Sequence, residues 1–162
     1  MPTTLPCLWF ERDGLEAARY YVSLFPNSSI TSVSPGPDGS PLVVGFSLDG
    51  REHLVLNGGP QHRLTPAFSI QVLCEDQAEV DRLWDALAEG GEEGRCGWLV
   101  DRWGLSWQVV PRRLVELQAD PDPERAARAV RAMLGMRRLV VADLEAAADA
   151  ADTADAVRTA DA

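Results

Sequence analysis

One pattern limits the possible folds more than any other feature. A strand, a helix and three further strands are read twice along the chain, at an offset of roughly 60 residues. In the first pass "LPCLWF" is a short apolar run that stops at "ERDG". Asp13 and Glu16 then have the spacing of a capping box, in which two side chains satisfy orphan amide hydrogens at a helix start. The helix predicted from there buries Leu15, Ala18, Val22 and Phe25, and Pro26-Asn27 stops it. "SSITSVS" is a candidate strand. "LVVGFSLDGREHLVLN" reads as a hairpin, because Asp49-Gly50 supplies the positive φ angles of a tight turn. After the breaker-rich "GGPQHRLTP" the order returns. "AFSIQVLC" alternates as a strand, Asp76 and Glu79 mark a second helix start, and the helix buries Val80, Leu83, Trp84 and Leu87. Gly90-Gly91 ends it, and "EEGRCGWLVDRWGLSWQVVP" holds three strand-like pieces with Asp101 to Gly104 as a hairpin turn.

A chain of 162 residues is long enough for one domain, or for two small modules sharing a core. The modules are expected over residues 1–60 and 66–111, with a C-terminal helical extension over 112–146. That extension contains "DPDPERAARAVRAML", a helix opened by Asp and Pro with Val130, Met133 and Leu134 on one face. Residues 147–162, rich in Ala and Asp, have little to bury and are expected to be a disordered tail. The net charge of −10 is spread along the chain, which argues against nucleic acid, whose phosphates need clustered Lys and Arg. Cys7, Cys74 and Cys96 form no C-x-x-C pair, so neither a disulfide framework nor a structural zinc site is expected. "MPTTLPCLWF" lacks the basic and apolar regions of a signal peptide, and no run approaches the roughly 20 apolar residues of a membrane span. The expected setting is the cytoplasm.

Strand alternation divides the side chains between two faces. Leu105, Trp107 and Val109 share one face of the last strand, and Ser106 and Gln108 the other. The apolar faces pack under the two helices. The second face then carries Ser47, His53, Asn57, Ser69, Gln71, Ser106 and Gln108. Such a face is either solvated, as antiparallel sheets commonly are, or it is the polar lining of a small-molecule site. Trp107, Trp84 and Trp9 are expected in the core, while Trp103, in the turn, packs over a strand edge or a neighbouring subunit. Cys96 and Trp98, just before the turn, are candidates for a cavity mouth. "RCGW" has no nearby His to activate its thiol, and no Ser/His/Asp arrangement or carboxylate pair stands out.

The segments "LWFERDGLEAARYYVSLFPNSSI", "LNGGP", "GGEEGRCGWLVDRWGLSWQVVP" and "DPDPERAARAVRAMLGMRRL" together resemble the PhnB-like (demethylubiquinone 3-methyltransferase-like) branch of the vicinal oxygen chelate superfamily, which also holds glyoxalases, bleomycin-resistance proteins and dioxygenases. The resemblance implies an α+β fold: two βαβββ modules forming cupped mixed sheets around a concave site, C-terminal helices, and a homodimer. Metal-dependent members place His, Gln or Glu near the start of each module's first strand and in its last. The matching first-strand positions here are Pro6 and Ala67, which cannot ligate; Gln108 falls at the second module's last-strand position, and Asn57 near the first module's. His53 and His62 read as surface histidines. Common S-adenosylmethionine enzymes carry a glycine-rich turn between a strand and a helix, whereas "LNGGP" leads into a loop.

The expected function is binding of a small organic ligand in the cup between the modules, without a metal or other cofactor. The candidate contacts are Gln108, Gln71, Ser69, Asn57, Ser106, Trp98 and Cys96; no catalytic residue is singled out. The alternative is an enzyme on a small oxygenated or aromatic substrate, either a metal-dependent lyase or dioxygenase or the methyltransferase of the family label.

Overall fold

The computed structural model describes residues 2–150. The first pass of the pattern becomes β1 (Cys7–Phe10), α1 (Gly14–Leu24), β2 (Ser29–Pro35), β3 (Pro41–Leu48) and β4 (Arg51–Asn57). The second becomes β5 (Ser69–Cys74), α2 (Gln77–Ala88), β6 (Glu92–Glu93), β7 (Trp98–Val100) and β8 (Ser106–Pro111). Three helices follow: α3 (Arg112–Gln118), α4 (Pro123–Gly135) and α5 (Val141–Asp149). One sheet has the order β1-β4-β3-β2 and the other β5-β8-β7-β6, so in each module the first strand lies against the last. β1 runs parallel to β4, while β3 is antiparallel to β2 and β4. This is the α+β architecture of two βαβββ modules with added helices that the resemblance implied. Among the described residues no helix is long and apolar enough to cross a membrane.

Contacts within the chain fall into two compact units, Met1–Ile70 with Ala86–Glu92 and Val100–Trp107, and Gln71–Asp85 with Glu93–Leu99 and the chain from Gln108. In the first unit, Asp49 and Gly50 take φ values of 47° and 73°, the paired positive angles of a two-residue hairpin turn. That turn sets the register: Leu48 opposes Arg51, Phe46 opposes His53 and Val44 opposes Val55. Directly opposed residues share a face, so His53 and Val55 join Val44 and Phe46 on the buried side. This corrects the expected faces of β4. Leu54 and Leu56 lie on the other side with Ser47, while His53 packs flat against Phe46 at 5.2 Å and its Nδ1 sits 2.8 Å from the Arg51 carbonyl. β4 is apolar on both faces, so alternation could not choose between them.

α1 covers this sheet with small residues. It buries Gly14, Ala17, Ala18 and Tyr21 rather than the predicted set, of which only Ala18 is shared. A Cβ on Gly14 would come 2.1 Å from Val55 Cγ1, so the helix start meets the sheet at backbone distance. The expected capping box does not form. Asp13 has φ −95° and ψ 12°, outside the extended conformation of a capping residue, and its side chain caps nothing. Asn57 Oδ1 accepts the Gly14 N–H at 2.9 Å instead.

In the second unit the helix start behaves as read. Asp76 Oδ1 accepts from the Glu79 N–H at 2.8 Å, and Glu79 reaches back to the Glu75 N–H at 2.9 Å. Val80, Leu83 and Trp84 are buried on α2 as expected, and the Trp84 Nε1–H donates to Glu93 at 2.8 Å. α3, α4 and α5 enclose a cluster of Val110, Leu114, Leu117, Ala129, Leu139, Leu144 and Ala148, with Met133 packed against it. Leu134 is 54% exposed and lies off the predicted apolar face of α4. α5 continues past the expected tail boundary, with Ala148 buried and Asp149 paired to Arg125 at 2.7 Å. The remainder of the expected tail, 151–162, is outside the described residues.

Cys74 ends β5 fully buried, and Cys7 is exposed. Burial first, then the charge of Glu79, pushes the Cys74 thiol from 9.0 up to about 12. A raised thiol value favours the neutral form in the folded state, so its contribution is complete below pH 9.0 and is lost as pH rises toward about 12. At pH 8 a thiol reagent should label Cys7 readily and Cys74 only after urea is added; rapid labelling of Cys74 in the native protein would contradict its burial.

Candidate functional site

A cavity of about 470 Å³ opens in the first unit. One wall starts at the end of β1. The N–H groups of Gly58 and Gly59 donate to the carbonyls of Phe10 and Glu11 at 3.0 and 3.1 Å, holding the chain after β4 beside the end of β1. Trp9 lies across this junction and donates its Nε1–H to the Gly59 carbonyl at 2.8 Å. A Cβ on Gly58 would stand 2.2 Å from the Trp9 ring, so only glycine lets backbone and indole meet. His62 presents an edge to the same indole, with ring centroids 4.7 Å apart. Pro60, Arg63 and Leu64 continue the wall.

Arg102, Trp103 and Gly104 of the turn that begins at Asp101 also line the cavity. Asp101 is 4% exposed, and its two oxygens accept four donors. Oδ1 takes the N–H groups of Trp103 and Leu105 at 2.9 and 3.0 Å, and Oδ2 takes the Tyr21 hydroxyl at 2.6 Å and the Trp107 indole N–H at 2.8 Å. Burial foremost, and then the Asp101 charge, hold the Tyr21 hydroxyl far above its ordinary pKa, so it remains a donor. Trp103 packs on Tyr20 and Tyr21 at 5.4 and 5.6 Å, and the Arg102 guanidinium lies 4.6 Å over both the Tyr20 and Trp103 rings. Tyr20 is itself fixed by a 2.7 Å hydrogen bond to the Ala86 carbonyl. Glu11 and Asp13 complete the lining, and Glu11 pairs with Arg12 at 2.8 Å. Arg12 is held above its ordinary pKa by that hydrogen bond first, and then by the charges of Glu11 and Asp13.

The positions singled out in the sequence lie away from this lining. Asn57 is engaged in structure: Oδ1 caps α1, and Nδ2 donates to the Pro41 carbonyl at 2.8 Å. Gln71 and Gln108 do meet, Nε2 to Oε1 at 3.4 Å, with Gln71 exposed and Gln108 half-buried. Ser69 is half-buried, two residues before Gln71 on β5. Cys96 takes φ 57° and its N–H donates to the Met136 carbonyl, while the Trp98 carbonyl accepts from the Gly94 N–H; both side chains are half-buried. Ser106 is 1% exposed, and its hydroxyl has no hydrogen-bond partner among the described residues. Ser106→Ala should therefore raise stability by about 1 kcal/mol, since it removes a buried, unsatisfied group. A loss in urea unfolding would reveal a partner for the hydroxyl.

Trp107 is core as expected, but Trp9 is not: it is half-buried and lines the cavity. His62, read as a surface side chain, is exposed and lines the cavity too. The sequence signal for this site was "LNGGP". Its glycines read as a turn, and their contact with a tryptophan nearly fifty positions earlier is a tertiary fact.

The family model described as 3-demethylubiquinone-9 3-methyltransferase matches residues 2–110. The chain belongs to this PhnB-like family. A PhnB protein from Bacillus cereus is 30% identical, with a TM-score of 0.63 over 68% of this chain and 99% of that one. A crystal structure of a Pseudomonas aeruginosa protein, 21% identical, has a TM-score of 0.56 over 68% of this chain and 98% of that one, a likeness of fold. A search of curated proteins gives no match. The match falls on the same PhnB-like family that the sequence segments resemble.

The residues of this PhnB-like chain fit neither the metal nor the S-adenosylmethionine that the sequence resemblance raises. Pro6 and Ala67 have no side-chain donor, the Asn57 amide is engaged at both ends, and Gln108 Oε1 already accepts from Gln71. Among the described residues no three of His, Cys, Asp and Glu gather as metal ligands. This donor set does not fit a glyoxalase-type metal. Gly58 and Gly59 precede a loop, and the next helix begins at Gln77, so they do not fit the glycine-rich strand-to-helix turn of common S-adenosylmethionine enzymes.

Proposed function

We propose that the protein binds a small organic ligand, without a bound metal, in the cavity walled by Trp9, His62, Arg63, Arg102 and Trp103. The observation that carries this reading is the cavity itself: about 470 Å³, within the range of small-molecule sites, with aromatic side chains and a few polar groups in its lining. Gln71 and Gln108, with Ser69, Ser106, Asn57, Trp98 and Cys96, stand outside that lining and are proposed as the alternative place for the ligand should Trp9 and Trp103 not meet it. A second reading, an enzyme on a small oxygenated or aromatic substrate, is favoured by His62 and Asp13, which bring two proton-transferring groups to the same cavity.

The chain is further proposed to form a homodimer. The apolar face of α4 does not require one, since α3 and α5 cover it, and Trp103 packs on its own unit's tyrosines. Exposed Val115 (45%) and Leu134 (54%) support a partner surface, together with the family likeness. Native mass spectrometry of freshly purified protein tests all three statements. The expected spectrum is a dimer carrying a retained organic mass and no stoichiometric metal. One zinc, nickel, manganese or iron per subunit would favour the enzyme, and a monomer would remove the dimer.

A further inference from the structure

We infer that the cavity selects flat aromatic acids, with the ring against Trp9 and Trp103 and the carboxylate on Arg63 and Arg102. This rests on the reading of the cavity as the ligand site and adds the class of ligand. Glu11 and Asp13 lie on the wall beside Arg12, whose guanidinium answers both: it bonds to Glu11 and feels the charge of Asp13. Arg63 and Arg102 have no ion pair or hydrogen bond among the described residues. By contrast Arg113, Arg125 and Arg138 each pair with two carboxylates. Counting Arg12, three guanidiniums meet the two carboxylates Glu11 and Asp13 at this cavity, a local excess of one positive charge in a chain of net charge −10, which favours an anion.

The geometry of Arg102 strengthens the point. Its central carbon lies 4.6 Å from both the Tyr20 and the Trp103 ring centroids, a cation–π contact with each. With no hydrogen bond to a described residue, its N–H groups are available to a carboxylate, which can accept two parallel hydrogen bonds from a guanidinium. The same packing fixes the guanidinium in advance, which lowers the entropy lost when an acid binds. The wall also carries aromatic surface: the Trp9 indole, pinned to Gly59, and the His62 ring nearly perpendicular to it. A carboxylate source without a ring would leave these surfaces uncovered, and a neutral ring would leave the guanidiniums unanswered.

The test is calorimetric titration of the full chain at pH 7 with 2-naphthoate and with its neutral isostere 2-naphthamide. The acid should bind about tenfold or more tightly than the amide, the factor expected of a charge-assisted hydrogen bond. Arg63→Gln should remove most of that difference, weakening 2-naphthoate by several-fold more than it weakens 2-naphthamide. Arg63 is exposed and has no hydrogen bond or ion pair among the described residues, so this variant keeps the fold. Equal affinities for the two probes would overturn the acid preference and leave the ligand-binding reading standing. An acid preference that survives Arg63→Gln would place the acid elsewhere and overturn the assignment to this cavity. No binding of either probe at millimolar concentration would overturn the aromatic class, while a retained organic mass in native spectra would still uphold binding.

Discussion

Asp101→Ala is expected to destabilise the fold by about 4 kcal/mol, because it leaves several buried donors without an acceptor at once. The Tyr21 hydroxyl, the Trp107 indole N–H and the Leu105 N–H all lose their partner, and these residues are 0% exposed. Removing one donor instead should be milder: Tyr21→Phe deletes a single hydrogen bond and should cost about 1–2 kcal/mol. Asp101→Asn keeps the volume and one acceptor and should fall between them. Urea unfolding reads all three. If Asp101→Ala remained within about 1 kcal/mol of the parent, the turn would be held by something other than this carboxyl group.

Trp107→Ala should have an effect of similar size, about 3–5 kcal/mol, as a large core truncation. Trp107 is 0% exposed; it stacks on Phe25 at 5.8 Å and meets Tyr21 edge-on at 5.1 Å. Its indole N–H also answers Asp101, so the two alanine changes share partners, and their double variant should lose less than the sum. Gln108→Ala, one residue along β8, should change stability by no more than about 0.5 kcal/mol, since that side chain is half-buried beside Gln71. The reverse order, with Gln108→Ala unfolding the protein and Trp107→Ala nearly silent, would mean that the faces of β8 are exchanged.

These residues also show where a sequence is legible. The second helix could be read because its apolar stripe is wide and its opposite face charged, so Val80, Leu83 and Trp84 had one place to go. The first helix offered several small or apolar stripes. Its orientation is settled by the close approach of Gly14 to Val55 and by the bond from Tyr21 to Asp101, eighty positions away, and neither is a local property. The hairpin at Asp49-Gly50 was legible from turn chemistry, but the faces of β4 were not, because register alone places His53 beside Phe46. Asp101 read correctly as a turn residue; its second role as the buried acceptor of two side chains depends on tertiary partners. The cavity was the least legible feature. Its walls come from the end of β1, a loop and a turn remote in sequence, and no spacing rule joins them.

The most direct test of the ligand site is an NMR titration of nitrogen-15-labelled protein with 2-naphthamide, a neutral probe that separates position from charge preference. The chain has five tryptophans, so each indole N–H is a separate reporter. The cavity assignment predicts that the Trp9 and Trp103 signals move together as the probe is added, while those of the buried Trp84 and Trp107 stay in place. Movement of Trp98 and of the Gln71 and Gln108 side-chain amides, with Trp9 and Trp103 unmoved, would contradict it.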